Sequence, residues 1–196
     1  MAISKGTERL TCFDAWEAKQ AVETVSTLAD ETKPAENSLV VVVPPPLLKN
    51  WAIIKDTSAM TDEETVFVST QSNESVPCRA YGTASELTLM LRCMEKTTAI
   101  FITGDCHVAS GFESYGDVTF RVDENKAQTR SFDASTDSAA LGIWSGKRAI
   151  PLVKELFAGA KLTVRFTPFG MSPVEATFDV TGTELAVTDL RSACSW

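Results

Sequence analysis

From about Asn50 onward the chain is written in twos: apolar and polar residues alternate along short stretches, the spacing of a strand with one buried face. The clearest case is 86–94, where Leu87, Leu89, Leu91 and Cys93 fall on one side and Thr88, Met90 and Arg92 on the other. That stretch and Thr97 to Thr103 are joined by Glu95-Lys96 alone, which predicts a tight hairpin with Cys93 turned into the core. Trp51 to Lys55 and Thr65 to Thr70 flank a polar turn and predict a second hairpin. Val118, Phe120 and Val122 alternate with Thr119, Arg121 and Asp123, and a polar turn over 124–128 leads into Thr129 to Phe132. Two more strands, Lys161 to Thr167 and Val174 to Thr181, surround a turn framed by Pro168 and Pro173. About seven short strands with one-sided alternation predict a mainly β protein with flanking helices, built as an antiparallel β-sandwich or a strongly curved sheet.

Helical spacing occurs at three places. Leu10, Phe13, Trp16, Val22 and Val25 lie among charged residues between Thr7 and Ala29, and predict an N-terminal helical arm. Ile150 to Ala158 predicts a helix with Pro151 in its first turn and Gly159 as its stop. Thr183 to Ala193 predicts a short C-terminal helix. A polar connector over 31–38 precedes an aliphatic run that Pro44-Pro45-Pro46 ends, so the expected organisation is an arm and connector at 1–38 and a β-rich domain at 39–196.

Composition narrows the function classes. A chain of 196 residues buries enough surface to fold without a staple. The net charge of −8 and the lack of long single-sign runs argue against nucleic acid or an anionic bilayer as a partner. The aliphatic run at 39–43 is far below the ~20 residues of a membrane-spanning helix. The first residues lack the apolar core of a secretory signal, so the expectation is either a cytoplasmic protein or an exported one whose signal is absent from this chain. Cysteines at 12, 78, 93, 106 and 194 have no C-x-x-C spacing, and there is one histidine, so neither a metal nor a cofactor is expected. Buried reduced thiols in the cytoplasm and disulfides in an oxidising compartment both remain open at this point.

Candidate chemistry is sparse. Asp105-Cys106-His107 assembles a carboxylate, a thiol and the sole imidazole, the groups of a cysteine hydrolase, but neighbours in an extended segment point to opposite faces. Arg121 and Asp123 share one face of a strand and are candidates for partner binding, with a cross-strand pair on a solvated face as the plainer alternative. Phe13 and Trp16 on the arm are candidates for anchoring a partner or for packing back on the body. Phosphate loops, dinucleotide fingerprints and G-x-S-x-G elbows are absent from the sequence.

Several segments, in order, resemble the VasI/TagO family of type VI secretion accessory proteins. They are Glu8-Arg9-Leu10-Thr11-Cys12-Phe13-Asp14, the strand led by Trp51, Leu89-Met90-Leu91-Arg92-Cys93, Phe120-Arg121-Val122-Asp123 and the closing Leu190-Arg191-Ser192-Ala193-Cys194-Ser195-Trp196. The resemblance implies an exported, non-enzymatic accessory or adaptor protein, periplasmic or secreted, that binds a protein partner in the bacterial envelope. It also implies disulfides between Cys93 and Cys194 and between Cys78 and Cys106, with the natural partner of Cys12 upstream. Cys78, Cys106 and Thr129-Arg130-Ser131-Phe132 depart from the family pattern and suggest a divergent member, one that a prophage could carry. A cell-envelope hydrolase using Cys106 and His107, or an inhibitor or binding module from a mobile element, are the alternatives.

Overall fold

The computed structural model describes residues 48–79 and 82–196. The expected arm, the connector, the 38/39 boundary, Cys12, Phe13 and Trp16 lie outside the described residues. Ten strands form one antiparallel sheet: β1 (Ala52–Thr57), β2 (Glu64–Val76), β3 (Ser85–Met94), β4 (Thr97–Thr103), β5 (Asp117–Val122), β6 (Gln128–Ser131), β7 (Asp133–Ala134), β8 (Ala140–Ile143), β9 (Lys161–Phe166) and β10 (Val174–Asp179). Three helices accompany them: α1 (Gly146–Glu155), α2 (Thr183–Ala186) and α3 (Thr188–Cys194). The strand order is β6-β5-β9-β10-β2-β3-β4-β8-β7, with β1 beside β2.

Both ends of that order come from one stretch of chain. β6 and β7 are separated by Phe132 alone, so the sheet curls back on itself into a nearly closed barrel. Phe132 is buried, and its amide donates to the Gly116 carbonyl at 2.7 Å. The expected curved antiparallel sheet is therefore the one observed.

β2 forms the corner. One of its edges pairs with β1 from Glu64 to Ser69 and is then handed to β10, where Ser72 faces Phe178. On the opposite edge the register with β3 shifts between Gln71 and Ser75, the local irregularity that lets a strand bend. The buried Ser72 hydroxyl accepts from the Leu87 amide at 2.9 Å and donates to the Glu74 carbonyl at 2.7 Å, which satisfies groups the broken ladder would leave unpaired.

The predicted 95–96 hairpin is present, with Glu95 and Lys96 at φ of 49° and 56°, the positive values a two-residue primed turn requires. Leu87, Leu89, Leu91 and Cys93 all face the core, as the alternation requires. Several elements differ from expectation. β2 runs on to Val76, six residues past the expected Thr70, and β7 is an additional two-residue strand. α1 begins at Gly146 rather than at Ile150, because the Ser145 carbonyl already accepts from the Arg148 and Ala149 amides; Pro151 thus sits in its second turn. The C-terminal helix is two pieces, interrupted at Val187 where ψ is 9°. β8 was not expected, since all four of its residues are buried and so show no alternation.

α1 and α3 pack on the sheet's concave side, α1 against β4 and β8 and α3 against β2 and β3. The barrel has a helix end and a loop end, and each carries a bridge. Cys93 on β3 meets Cys194 at the end of α3 with Cα atoms 5.8 Å apart, and Cys78 after β2 meets Cys106 after β4 with Cα atoms 4.5 Å apart.

Candidate functional site

The solvent side of an antiparallel sheet is ordinarily polar. On β1 to β4 apolar side chains stand among the polar ones, which include Asp56, Ser69, Thr88 and Thr103. Register places Ile54, Phe67 and Arg92 in one row across three strands, and Ser69, Met90, Phe101 and Gly142 in the next. Because Val66, Val68, Leu89, Leu91, Ile100 and Ile102 fill the core, the alternating residues between them form the outer face. Ile54 is 51% exposed, and Phe67, Met90, Arg92 and Phe101 are half-buried.

Where this face reaches β8, three side chains stack. The Phe101 and Trp144 ring centroids are 5.0 Å apart, and the Arg92 guanidinium carbon lies 5.6 Å from the first and 5.9 Å from the second. Gly142 makes this possible. A Cβ there would come within 2.6 Å of the Phe101 Cβ and 2.9 Å of Trp144 Cζ2, so any side chain would push the rings away. The Trp144 indole N–H donates to the Asp133 carbonyl at 2.9 Å and fixes the ring over the β7–β8 hairpin.

Beside the stack is a cleft of about 470 Å³, walled on one side by Arg92, Phe101 and Trp144 and on the other by the 134–140 turn. That is within the size range of small-ligand sites. The turn holds itself together: the Ser135 hydroxyl accepts from the Ala139 and Ala140 amides at 3.2 and 2.9 Å and donates to Asp137. The Ser135 hydroxyl, followed by the Ala139 amide, holds the exposed Asp137 carboxyl below its usual range.

Arg92 differs from the other arginines of the described residues. Arg121, Arg130, Arg148 and Arg165 pair with Glu124, Glu155, Asp133 and Glu175, and Arg79 and Arg191 donate to backbone carbonyls. Arg92 has no hydrogen-bond partner or ion pair among the described residues, and its Nε is buried without one. Burial draws its pKa below the ordinary arginine range while Glu95 opposes the shift, and an arginine stays charged at neutral pH.

The residues singled out from sequence are dispersed. Arg121 bonds Glu124 at 2.6 Å on the surface, while the Asp123 carboxylate accepts from the Ala160 and Lys161 amides and so anchors the start of β9. Cys106 is bridged to Cys78 and offers no thiolate for a hydrolase. The His107 ring lies edge-on to Phe169, 5.5 Å away, in a loop-end group with Phe112 and Tyr115. Among the described residues, no group of three His, Cys, Asp or Glu is placed to hold a metal, and no helix is long and apolar enough to cross a membrane. The Arg92–Phe101–Trp144 stack was missed. Its first two members are outward positions of strands visible in the pattern, but the third arrives by way of β8.

A family model described as "Type VI secretion system VasI, EvfG" matches residues 1–196. No curated protein matches the chain. The crystal structure of invasion associated protein B from Bartonella henselae is similar to it at 14% identity, with 76% of this chain and 97% of that chain covered and a TM-score of 0.47. The chain belongs to the VasI family of type VI secretion system proteins.

Proposed function

We propose that this protein is a non-enzymatic, exported accessory protein of type VI secretion that binds a protein partner on the outer face of β1 to β4. The observation that carries the reading is the composition of that face. Ile54, Phe67, Met90 and Phe101 present apolar surface where solvent alone would favour polar side chains. Membership of a secretion-system family supports a protein as the occupant. Two bridged cysteine pairs, one at each end of the barrel, support an oxidising compartment such as the periplasm. The bridged Cys106 supports a binding role over a thiol hydrolase.

Site-specific photo-cross-linking in the host tests it. A photoreactive residue in place of Phe67 should yield a discrete adduct, its protein component named by mass spectrometry, whereas one in place of Arg165 on β9 should not. Adducts from both positions or from neither would overturn the binding face. Fractionation that finds the protein in the cytoplasm with its thiols reduced would overturn the export.

A further inference from the structure

We propose that Arg92 is a receptor for a carboxylate, and that the segment bound by the β1–β4 face carries an aspartate or glutamate beside an apolar residue. This rests on the sheet-face reading above and adds the chemistry of the occupant. The guanidinium is held against two aromatic rings, so its orientation is fixed before any ligand arrives and little side-chain entropy is left to lose. A π contact uses no hydrogen bond, so the rings leave the terminal N–H groups of the guanidinium for a ligand. The Nε is buried without a partner, so the two terminal nitrogens, which have no partner among the described residues, are the pair that can take both oxygens of a carboxylate, a geometry for which arginine is suited.

Charge complementarity selects an anion. The outer positions beside the stack, Phe67, Ser69, Met90, Phe101 and Thr103, are uncharged; of the acids nearby, Asp133 opposite Gly142 pairs with Arg148, and Glu95 in the β3–β4 turn makes no ion pair with Arg92, the cation among them. Asp137, the acidic side chain lining the cleft, is turned to the donors of its own turn. An apolar neighbour of the carboxylate fits because the cleft wall is made of Phe101 and Trp144. A carboxylate alone would leave those rings uncovered.

Matched blocked dipeptides test this, N-acetyl-Phe-Glu-amide against N-acetyl-Phe-Gln-amide, titrated into the full oxidised chain and followed by the NMR signals of the Arg92 Nε–H and the Trp144 indole N–H. The glutamate peptide should shift both signals saturably, at least about tenfold more tightly than the glutamine peptide, as one charge-assisted bidentate contact allows. Arg92→Gln should bind the two peptides equally, and Arg92→Lys should keep part of the preference. Equal binding of both peptides by the natural chain, or a preference that survives Arg92→Gln, would overturn the proposal. The cross-link from position 67 separates the two readings. An adduct that persists undiminished in Arg92→Gln leaves the binding face standing and removes the carboxylate receptor. A glutamate preference without any adduct from position 67 removes the face instead.

Discussion

At the scale of single residues, the polar contacts that matter are those holding the β2–β10 seam. Glu74 on β2 accepts from the Thr177 hydroxyl at 2.6 Å and from the Thr177 amide at 2.8 Å, and Asn73 donates to the same hydroxyl at 3.1 Å. The Thr177 hydroxyl holds the Glu74 carboxyl below its ordinary 4.5, against a smaller opposing effect of burial. A carboxylate depressed in the folded state stabilises it above the unfolded pKa, and that stabilisation is lost as pH falls through the lower, folded value. Glu74→Gln removes the charge at every pH. Urea midpoints measured from about pH 7 to about pH 3 should therefore show the gap between the natural chain and Glu74→Gln closing over the acid end of the range. A gap that stays constant with pH would show that the charge on Glu74 contributes nothing. Gly142 illustrates the opposite kind of residue, needed for what it lacks, since Phe101 and Trp144 occupy the space a Cβ would take.

At the scale of elements, alternation made β2 to β5, β9 and β10 legible because each has one buried face, while β1, with no buried residue, is legible as the apolar run after Trp51. Alternation failed at β8, whose Leu141 and Ile143 face the core while Ala140 and Gly142 are covered by the outer stack. A strand covered on both sides loses the period that identifies it. That failure hid the cleft as well, since Trp144 reaches Arg92 only through β8. α1 starts ahead of the expected Ile150 because Pro151, a residue common in a first turn, is here tolerated a turn later. Inward orientation of Cys93 was legible, and α3 supplies its partner by laying Leu190 and Ala193 on the core beside β2 and β3. The Cys93–Cys194 bridge spans 101 positions, and chain entropy assigns a loop of that length about 4.7 kcal/mol. Replacing both cysteines with alanine should cost about 2–5 kcal/mol in chemical denaturation, with α3 the first segment to lose amide protection. Unchanged stability and protection would mean that packing of Leu190 and Ala193 holds α3 without the bridge.

At the scale of the whole molecule, the β2–β10 seam decides whether the barrel unfolds as one unit or as two half-sheets. The ladder there is thin, with Phe178 opposite Ser72 as its single registered pair, and one such hydrogen-bonded pair contributes about 1 kcal/mol. Burial is the stronger force. Phe178 and Val180 on one side and Trp51, Val76 and Leu87 on the other are all nearly inaccessible and belong to one continuous core, and each such side chain contributes roughly 1.5–3 kcal/mol when buried. The Trp51 indole N–H adds a direct tie to the Thr181 carbonyl at 2.9 Å. The apolar terms exceed the ladder term several-fold, so the two half-sheets should open together. Hydrogen exchange should then give amides in β3 and β4 the same opening free energy as those in β9 and β5. Phe178→Ala places a cavity in the seam and should lower global stability by about 3–5 kcal/mol, and it should split the protected amides into two classes if the core is what couples the halves. Two classes already present in the natural chain would show that the seam is a boundary. A uniform loss in Phe178→Ala, with one class retained, would assign the coupling to Trp51 and the Glu74–Thr177 contacts rather than to Phe178.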